Sequence, residues 1–234
     1  MLTKTTGIVI RTIKFGEASA ICHILTEQFG LLGFHIPSAF KNKGKVRVSY
    51  LQPLNVLELS FNSKKTKSLQ SIQDVTCLYH CEPVSFSQQA FYHVIVEILQ
   101  QMIKHNEINH DLFVYLKEEA LPSVNTELHY WQLPFVMINL LHHYGCAPNI
   151  DTFNPQAHLD LKNGIFMDGE PTVKYYSNKE ISGIIYEIMT RGIRHLDNDH
   201  RMRQQLIQDL VLYYKLHIDE GFELKSMEVM MKMR

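Results

Sequence analysis

Four basic residues at alternate positions, Lys41, Lys43, Lys45 and Arg47, form the sharpest chemical signal in the chain. In an extended segment alternate side chains point the same way, so this run would set its cations in one row, a spacing suited to a phosphate backbone. A second basic turn, Lys64, Lys65 and Lys67, and two cations of the first apolar run, Arg11 and Lys14, lie in the same stretch of sequence. A lone charge run is ordinarily a solvated loop. Several groups of cations on one small module are instead what counterion release from a polyanion requires, and such binding weakens steeply with salt. Base stacking is the complementary chemistry, and Phe15, Phe29, Phe34, Phe40, Tyr50 and Phe61 are interleaved with the cations. Most of these belong in a core; Phe40, beside the basic run, is the best placed to meet a base.

The formal net charge of -1 hides this asymmetry. Residues 1–80 hold ten Lys and Arg against four Asp and Glu, a surplus of six, which leaves a deficit of seven in the remainder. A basic module joined to an acidic one can grip a phosphate backbone with the first part while the second faces a protein or limits non-specific adhesion.

Two clusters have the residue types of metal ligands: Cys77, His80 and Cys81, and His142, His143 and Cys146. Structural zinc usually takes paired ligands in tight spacings on turns, whereas His142 and Cys146 end an apolar helix, so no metal and no other cofactor is expected. The strings G-x-x-x-x-G-K, G-x-G-x-x-G, G-x-S-x-G and H-E-x-x-H do not occur, which points to binding rather than catalysis. Four scattered cysteines fit reduced thiols. No apolar run approaches the roughly 18 residues of a membrane span, and the opening residues lack an apolar leader pattern, so a cytoplasmic protein is expected.

The elements that must position these residues fall into two kinds. Apolar and β-branched runs at Gly7–Lys14, Ser19–Glu27, Leu31–Ser38, Leu54–Phe61 and Ser68–Val75, broken by Gly, Asn and Lys turns, predict five strands. Five strands in so short a stretch suit a small closed barrel of the OB type. After Glu82-Pro83 the spacing turns helical. One helix is predicted from a Ser85 or Ser87 cap to about His105, a second over Asp111–Ala120 stopped by Leu121-Pro122, and a third over Thr126–Tyr144, kinked or broken at Pro134 and ended by Gly145. Residues 146–177 are rich in turn signals and are expected to be irregular. Helical spacing returns over Asn178–Arg194, Asp199–His217 and Leu224–Met233, the last with Met227, Met230, Met231 and Met233. The expected architecture is therefore α+β: a five-stranded OB-fold barrel over residues 1–80, then an α-helical domain over 81–234.

Three segments, in order along the chain, resemble the RecO recombination mediators of bacteria. They are Thr6-Gly7-Ile8-Val9-Ile10-Arg11-Thr12 with Phe15-Gly16-Glu17-Ala18-Ser19; Leu51-Gln52-Pro53-Leu54-Asn55 leading to Leu57-Glu58-Leu59; and Tyr213-Tyr214-Lys215-Leu216-His217 followed by Gly221-Phe222-Glu223-Leu224-Lys225-Ser226. The resemblance implies a DNA repair and recombination protein of the RecF pathway, active after DNA damage, that binds single- and double-stranded DNA and anneals complementary strands. It also implies RecR as a partner, contact of the helical domain with the acidic C-terminal tail of single-stranded DNA-binding protein (SSB), help in loading RecA onto SSB-coated DNA, and a nucleoid-associated place in the cytoplasm. The cations available for that tail are Arg191, Arg194, Arg201, Arg203 and Lys215, with Lys225 matched to a family motif and equally suited to cap or bridge helices. Many relatives carry a four-cysteine zinc module after the segment equivalent to Leu140–Gly145. Here Cys146-Ala147-Pro148-Asn149-Ile150-Asp151 follows without paired cysteines, so the metal is not carried over. The rival expectation is a protein-interaction adaptor that binds no DNA and keeps the barrel for structure alone.

Overall fold

Strand pairing begins at the first residue that the computed structural model describes; the described residues are 2–41, 46–62, 69–104, 107–125 and 128–227. Strands β1 (Leu2–Phe15), β2 (Ser19–Thr26), β3 (Gly30–Ile36), β4 (Val56–Asn62) and β5 (Leu69–Tyr79) close into a barrel in the order β1-β2-β3-β5-β4. Only β3 and β5 run parallel; the other neighbours are antiparallel. This is the five-stranded OB-type barrel that the strand pattern predicts. β1 starts at Leu2 rather than Gly7 because Leu2–Thr6 pair with β4 across Asn62–Glu58.

Val9, Cys22, Ile24, Phe34, Ile36, Leu57, Leu59 and Phe61 fill the interior, with Phe34 edge-on to Phe61 at 5.3 Å between centroids. The β2–β3 turn closes on Gly30 (φ +66), where a Cβ would stand 2.4 Å from the Glu107 carbonyl oxygen, so backbone takes the place of a side chain. Helix α1 (Phe86–Met102) starts at Ser85, whose hydroxyl accepts from the Gln88 amide while the Gln88 side chain accepts from the Ser85 amide, a capping box. Its buried face is the predicted one, Phe91, Val94, Ile95, Ile98, Leu99 and Met102, and Gln100 Nε2 donates to the Ile10 carbonyl of the barrel at 3.0 Å.

The second helical stretch does not stop at Leu121-Pro122. Helix α2 (His110–Tyr115) runs through a π-helical segment (Leu116–Ala120) into α3 (Leu121–Val124). The widened turn lets the Leu121 amide reach the Leu116 carbonyl, and Pro122 falls in the first turn of α3, where an amide hydrogen is not needed. The chain divides into two compact units, Met1–Glu127 and Leu128–Arg234. Strands give way to helices near residue 80, yet the first unit extends past that point, tied by Tyr79 Oη to the Leu121 carbonyl and Tyr92 Oη to the Pro53 carbonyl.

In the second unit, α4 (Gln132–Tyr144), α5 (Lys179–Arg191) and α6 (His200–His217) pack on one another. Two expectations are corrected here. Pro134 makes no kink, because it sits in the first turn of α4, where its missing amide hydrogen has no partner to lose. Residues 146–177 are not irregular throughout: β6 (His158–Asp160), β7 (Ile165–Met167) and β8 (Tyr176–Ser177) form a sheet in the order β7-β6-β8. Strands this short show no usable periodicity. Their turn is set by Asp160, which accepts from the Lys162 and Asn163 amides. Gly145 (φ 82) closes α4 as predicted. Of the last predicted helix, Met227 is buried, and Met230, Met231 and Met233 lie outside the described residues.

Candidate nucleic-acid interface

A β-bulge decides which way the first strand aims its cations. Val9 pairs with Ile24 and Arg11 with His23, so Ile10 is the extra residue on β1. Strict alternation from the inward Val9 would turn Arg11 into the barrel; the bulge resets the phase so that Thr12 points inward and Arg11 outward. The Thr12 hydroxyl confirms the setting, lying 3.4 Å from the core thiol of Cys22 and donating to the Leu51 carbonyl at 2.7 Å. That bond fastens the 3₁₀ turn Val48–Leu51 beside β1, two positions before Lys14.

Lys14 and Phe40 meet where the β1–β2 turn meets the chain leaving β3, Lys41 follows Phe40 in that chain, and Arg47 opens the 3₁₀ turn that Thr12 ties to β1. The Phe40 amide donates to the Ala18 carbonyl of that turn at 3.1 Å, and the Lys41 amide to the Ser38 carbonyl. Ala39 and Val46, the sequence neighbours of Phe40 and Arg47, are buried in the same barrel core cluster. Lys14 Nζ stands over the Phe40 ring at 6.0 Å, and the Arg47 guanidinium over the Tyr50 ring at 5.9 Å. Tyr50 is anchored in turn by the Asn55 amide, which donates to the Ser49 and Tyr50 carbonyls, and lies 5.7 Å from the His80 ring.

The four candidate cations of the barrel module that are described, Arg11, Lys14, Lys41 and Arg47, are exposed. None pairs with a carboxylate among the described residues, unlike Lys4, which is held by Glu58 at 2.9 Å. Arg11, on the outer face of β1, is not part of the barrel-end group. Lys43, Lys45, Lys64, Lys65 and Lys67 lie outside the described residues. Of the barrel aromatics, Phe34 and Phe61 are core and Phe29 packs against them, while Phe15 and Phe40 are exposed.

Residues 1–80 match the family model described as Recombination protein O N terminal. Over 240 residues, 98% of either chain, the sequence is 23% identical to the DNA repair protein RecO of Azobacteroides pseudotrichonymphae. It is 24% identical over 237 residues to the DNA repair protein RecO of Bacteroides fragilis, again across 98% of each chain. A 27% identity over 241 residues, with the same coverage, relates it to the DNA repair protein RecO of Flavobacterium psychrophilum. The chain is similar to RecO proteins over nearly its whole length.

The second unit divides the six candidate cations for a partner tail. Arg191 ends α5, Arg194 follows it, and Arg201 and Arg203 open α6, so these four gather around the α5–α6 connection. Arg203 is partly structural: its guanidinium donates to Asn198 Oδ1 at 3.1 Å, and burial holds its pKa below the ordinary value against the pull of Asp199. Lys215 lies about 20 Å further along α6 at the helical rise per residue, and Lys225 is exposed beyond that helix. A cavity of about 450 Å³ opens between α4, the loop after it and α5, lined by Ile138, His142, Pro148, Ile150 and Met189 among others; none of the six cations lines it.

Of the two clusters with the residue types of metal ligands, the one at the end of α4 leads into Cys146. The Cys146 thiol is pushed up to about 11 by burial, its carbonyl accepts from Tyr213 Oη, and no three His, Cys, Asp or Glu converge on a metal position among the described residues. Burial raises the Cys22 and Cys81 thiols to about 12, so neither supplies a thiolate near neutrality. No helix among the described residues is long and apolar enough to cross a membrane.

Proposed function

We propose that this chain works in DNA repair and recombination as a DNA-binding mediator without catalytic chemistry of its own, as the names of its relatives suggest. The observation that carries this reading is that Lys14 and Arg47 at the barrel end are held over aromatic rings, with no carboxylate paired to either among the described residues. A cation held against a ring keeps its charge for a phosphate, and its side chain has less freedom to lose on binding. The barrel end neutralises phosphates on single- and double-stranded DNA, lowers the repulsion between two strands, and so lets complementary bases meet without an energy source.

In the same reading the acidic helical unit meets proteins: RecR, and the tail of SSB through the cations around the α5–α6 connection, so that RecA can replace SSB on the strand. An acidic tail needs cations beside an apolar surface, which that connection supplies in part with Arg191, Arg194 and Arg201. The mediator acts where its DNA is, at the nucleoid in the cytoplasm.

A salt titration of the purified protein against a fluorescent single-stranded oligonucleotide tests the reading. Binding at low salt should fall linearly in log–log form with a slope reporting several released counterions. Absence of affinity at low salt would leave only the adaptor function.

A further inference from the structure

The outward face of β1, β2 and β3 carries a feature that the barrel-end group does not explain. Beyond the bulge, Arg11, Ile13 and Phe15 share that face of β1. Register carries the rows across the sheet: Arg11 opposite His23 and then Gly33, Ile13 opposite Ile21 and then His35. Phe15 meets the His35 ring edge-to-face at 6.0 Å and 86°, which sets the orientation of the phenyl group yet leaves the residue 55% exposed. Ile13 beside it is 37% exposed. An aromatic ring braced in the open, next to an isoleucine and on the same strand face as an arginine with no carboxylate partner among the described residues, is poorly suited to water and well suited to a ligand that is flat, apolar on its faces and anionic along its edge.

We propose that this face is a stacking site for the bases of single-stranded DNA, with Phe15 as the platform, His35 as its brace and Arg11 as the contact for a neighbouring phosphate. The site rests on the DNA-binding reading above and adds to it a division of labour. Lys14 points to the other side of β1 from Phe15, so the barrel-end cations and the stacking face are separate surfaces meeting at the β1–β2 turn. The barrel end recognises phosphates of either strand type; the stacking face recognises only bases that are unpaired, because a duplex hides their π-faces. Charge complementarity selects the occupant, since Arg11 has no carboxylate partner among the described residues.

The test uses the full chain with Phe15→Ala and Phe15→Trp, measured against oligothymidylate and against a duplex of equal length. Phe15→Ala should weaken oligothymidylate binding roughly ten-fold or more while duplex affinity and the salt slope stay as they were. Phe15→Trp should keep the affinity and place an indole at the surface, where stacked thymine quenches it; the native Trp131, 1% exposed, stays dark to the ligand. Equal losses on both DNA forms, or an unquenched Trp at position 15, would overturn the stacking site. If the unmodified protein binds both forms and Phe15→Ala matches it, only this site is lost; if the unmodified protein binds neither, the DNA-binding reading itself fails.

Discussion

Lys14 Nζ stands 6.0 Å from the centroid of the Phe40 ring, joining the end of β1 to the loop that leaves β3. The ring attracts the ammonium group without neutralising it. Lys14→Gln should therefore weaken binding to all DNA sequences alike and reduce the magnitude of the log–log salt slope by about 0.7 to 0.9, one phosphate contact. Fluorescence anisotropy across a series of salt concentrations measures both. A slope unchanged by the substitution would remove Lys14 from the interface.

Thr12 holds the turn that presents Arg47. Thr12→Val keeps the shape but strands the Leu51 carbonyl that Thr12 Oγ1 reaches at 2.7 Å. The expected cost is about 1 to 3 kcal/mol of stability, with a further loss of DNA affinity as the Val48–Leu51 turn loosens. Urea unfolding and anisotropy on the same preparation separate the two effects.

Gly164 ends the β6–β7 turn with φ +67, and a Cβ there would lie 2.6 Å from Tyr213 Oη, the group that donates to the Cys146 carbonyl at 2.9 Å. Gly164→Ala combines backbone strain with a displaced hydroxyl. It should destabilise the second unit by about 1 to 3 kcal/mol, seen as a lowered midpoint in urea. DNA binding by the barrel should persist, because the residues proposed to bind lie in the first unit.

Asp209 gives a pH-dependent signature. Burial pushes its carboxyl above the usual carboxylate range, against the lowering effect of hydrogen bonds from Ser177 and Gln205. A carboxyl raised in the folded state takes up its proton there first, so its contribution to stability is greatest below the unfolded value, about 4, and is lost as pH rises through the folded value. Relative to Asp209→Asn, the unmodified protein should gain stability as pH is lowered from 7 toward about 4. A difference that stays flat, or runs the other way, in urea midpoints across that range would contradict the assignment.

Much of the fold was legible because its signals are local. Turn residues marked the five strands, Ser85 and Gln88 marked the start of α1, and Gly145 marked the end of α4, each within a few residues of its effect. What escaped depended on pairing with distant chain. Whether Arg11 faces in or out turns on the bulge at Ile10, which exists only once β1 meets β2. The partnership of Phe15 with His35 needs the register of three strands. The β6–β8 sheet is built from strands too short to show a period, and Pro134 reads as a breaker until the true start of α4 places it in the first turn. The candidate site was legible as a composition of cations and aromatics, while its division into a barrel end and an outer face was not.

The most direct test of the account is charge reversal at the barrel end. Lys14, Lys41 and Arg47 are changed together to Glu, folding is verified by thermal unfolding, and affinity for a fluorescent single-stranded oligonucleotide is measured at low and moderate salt. The account predicts near-complete loss of binding at moderate salt with the unfolding transition retained. Affinity equal to that of the unmodified protein, with the same dependence on salt, would contradict it.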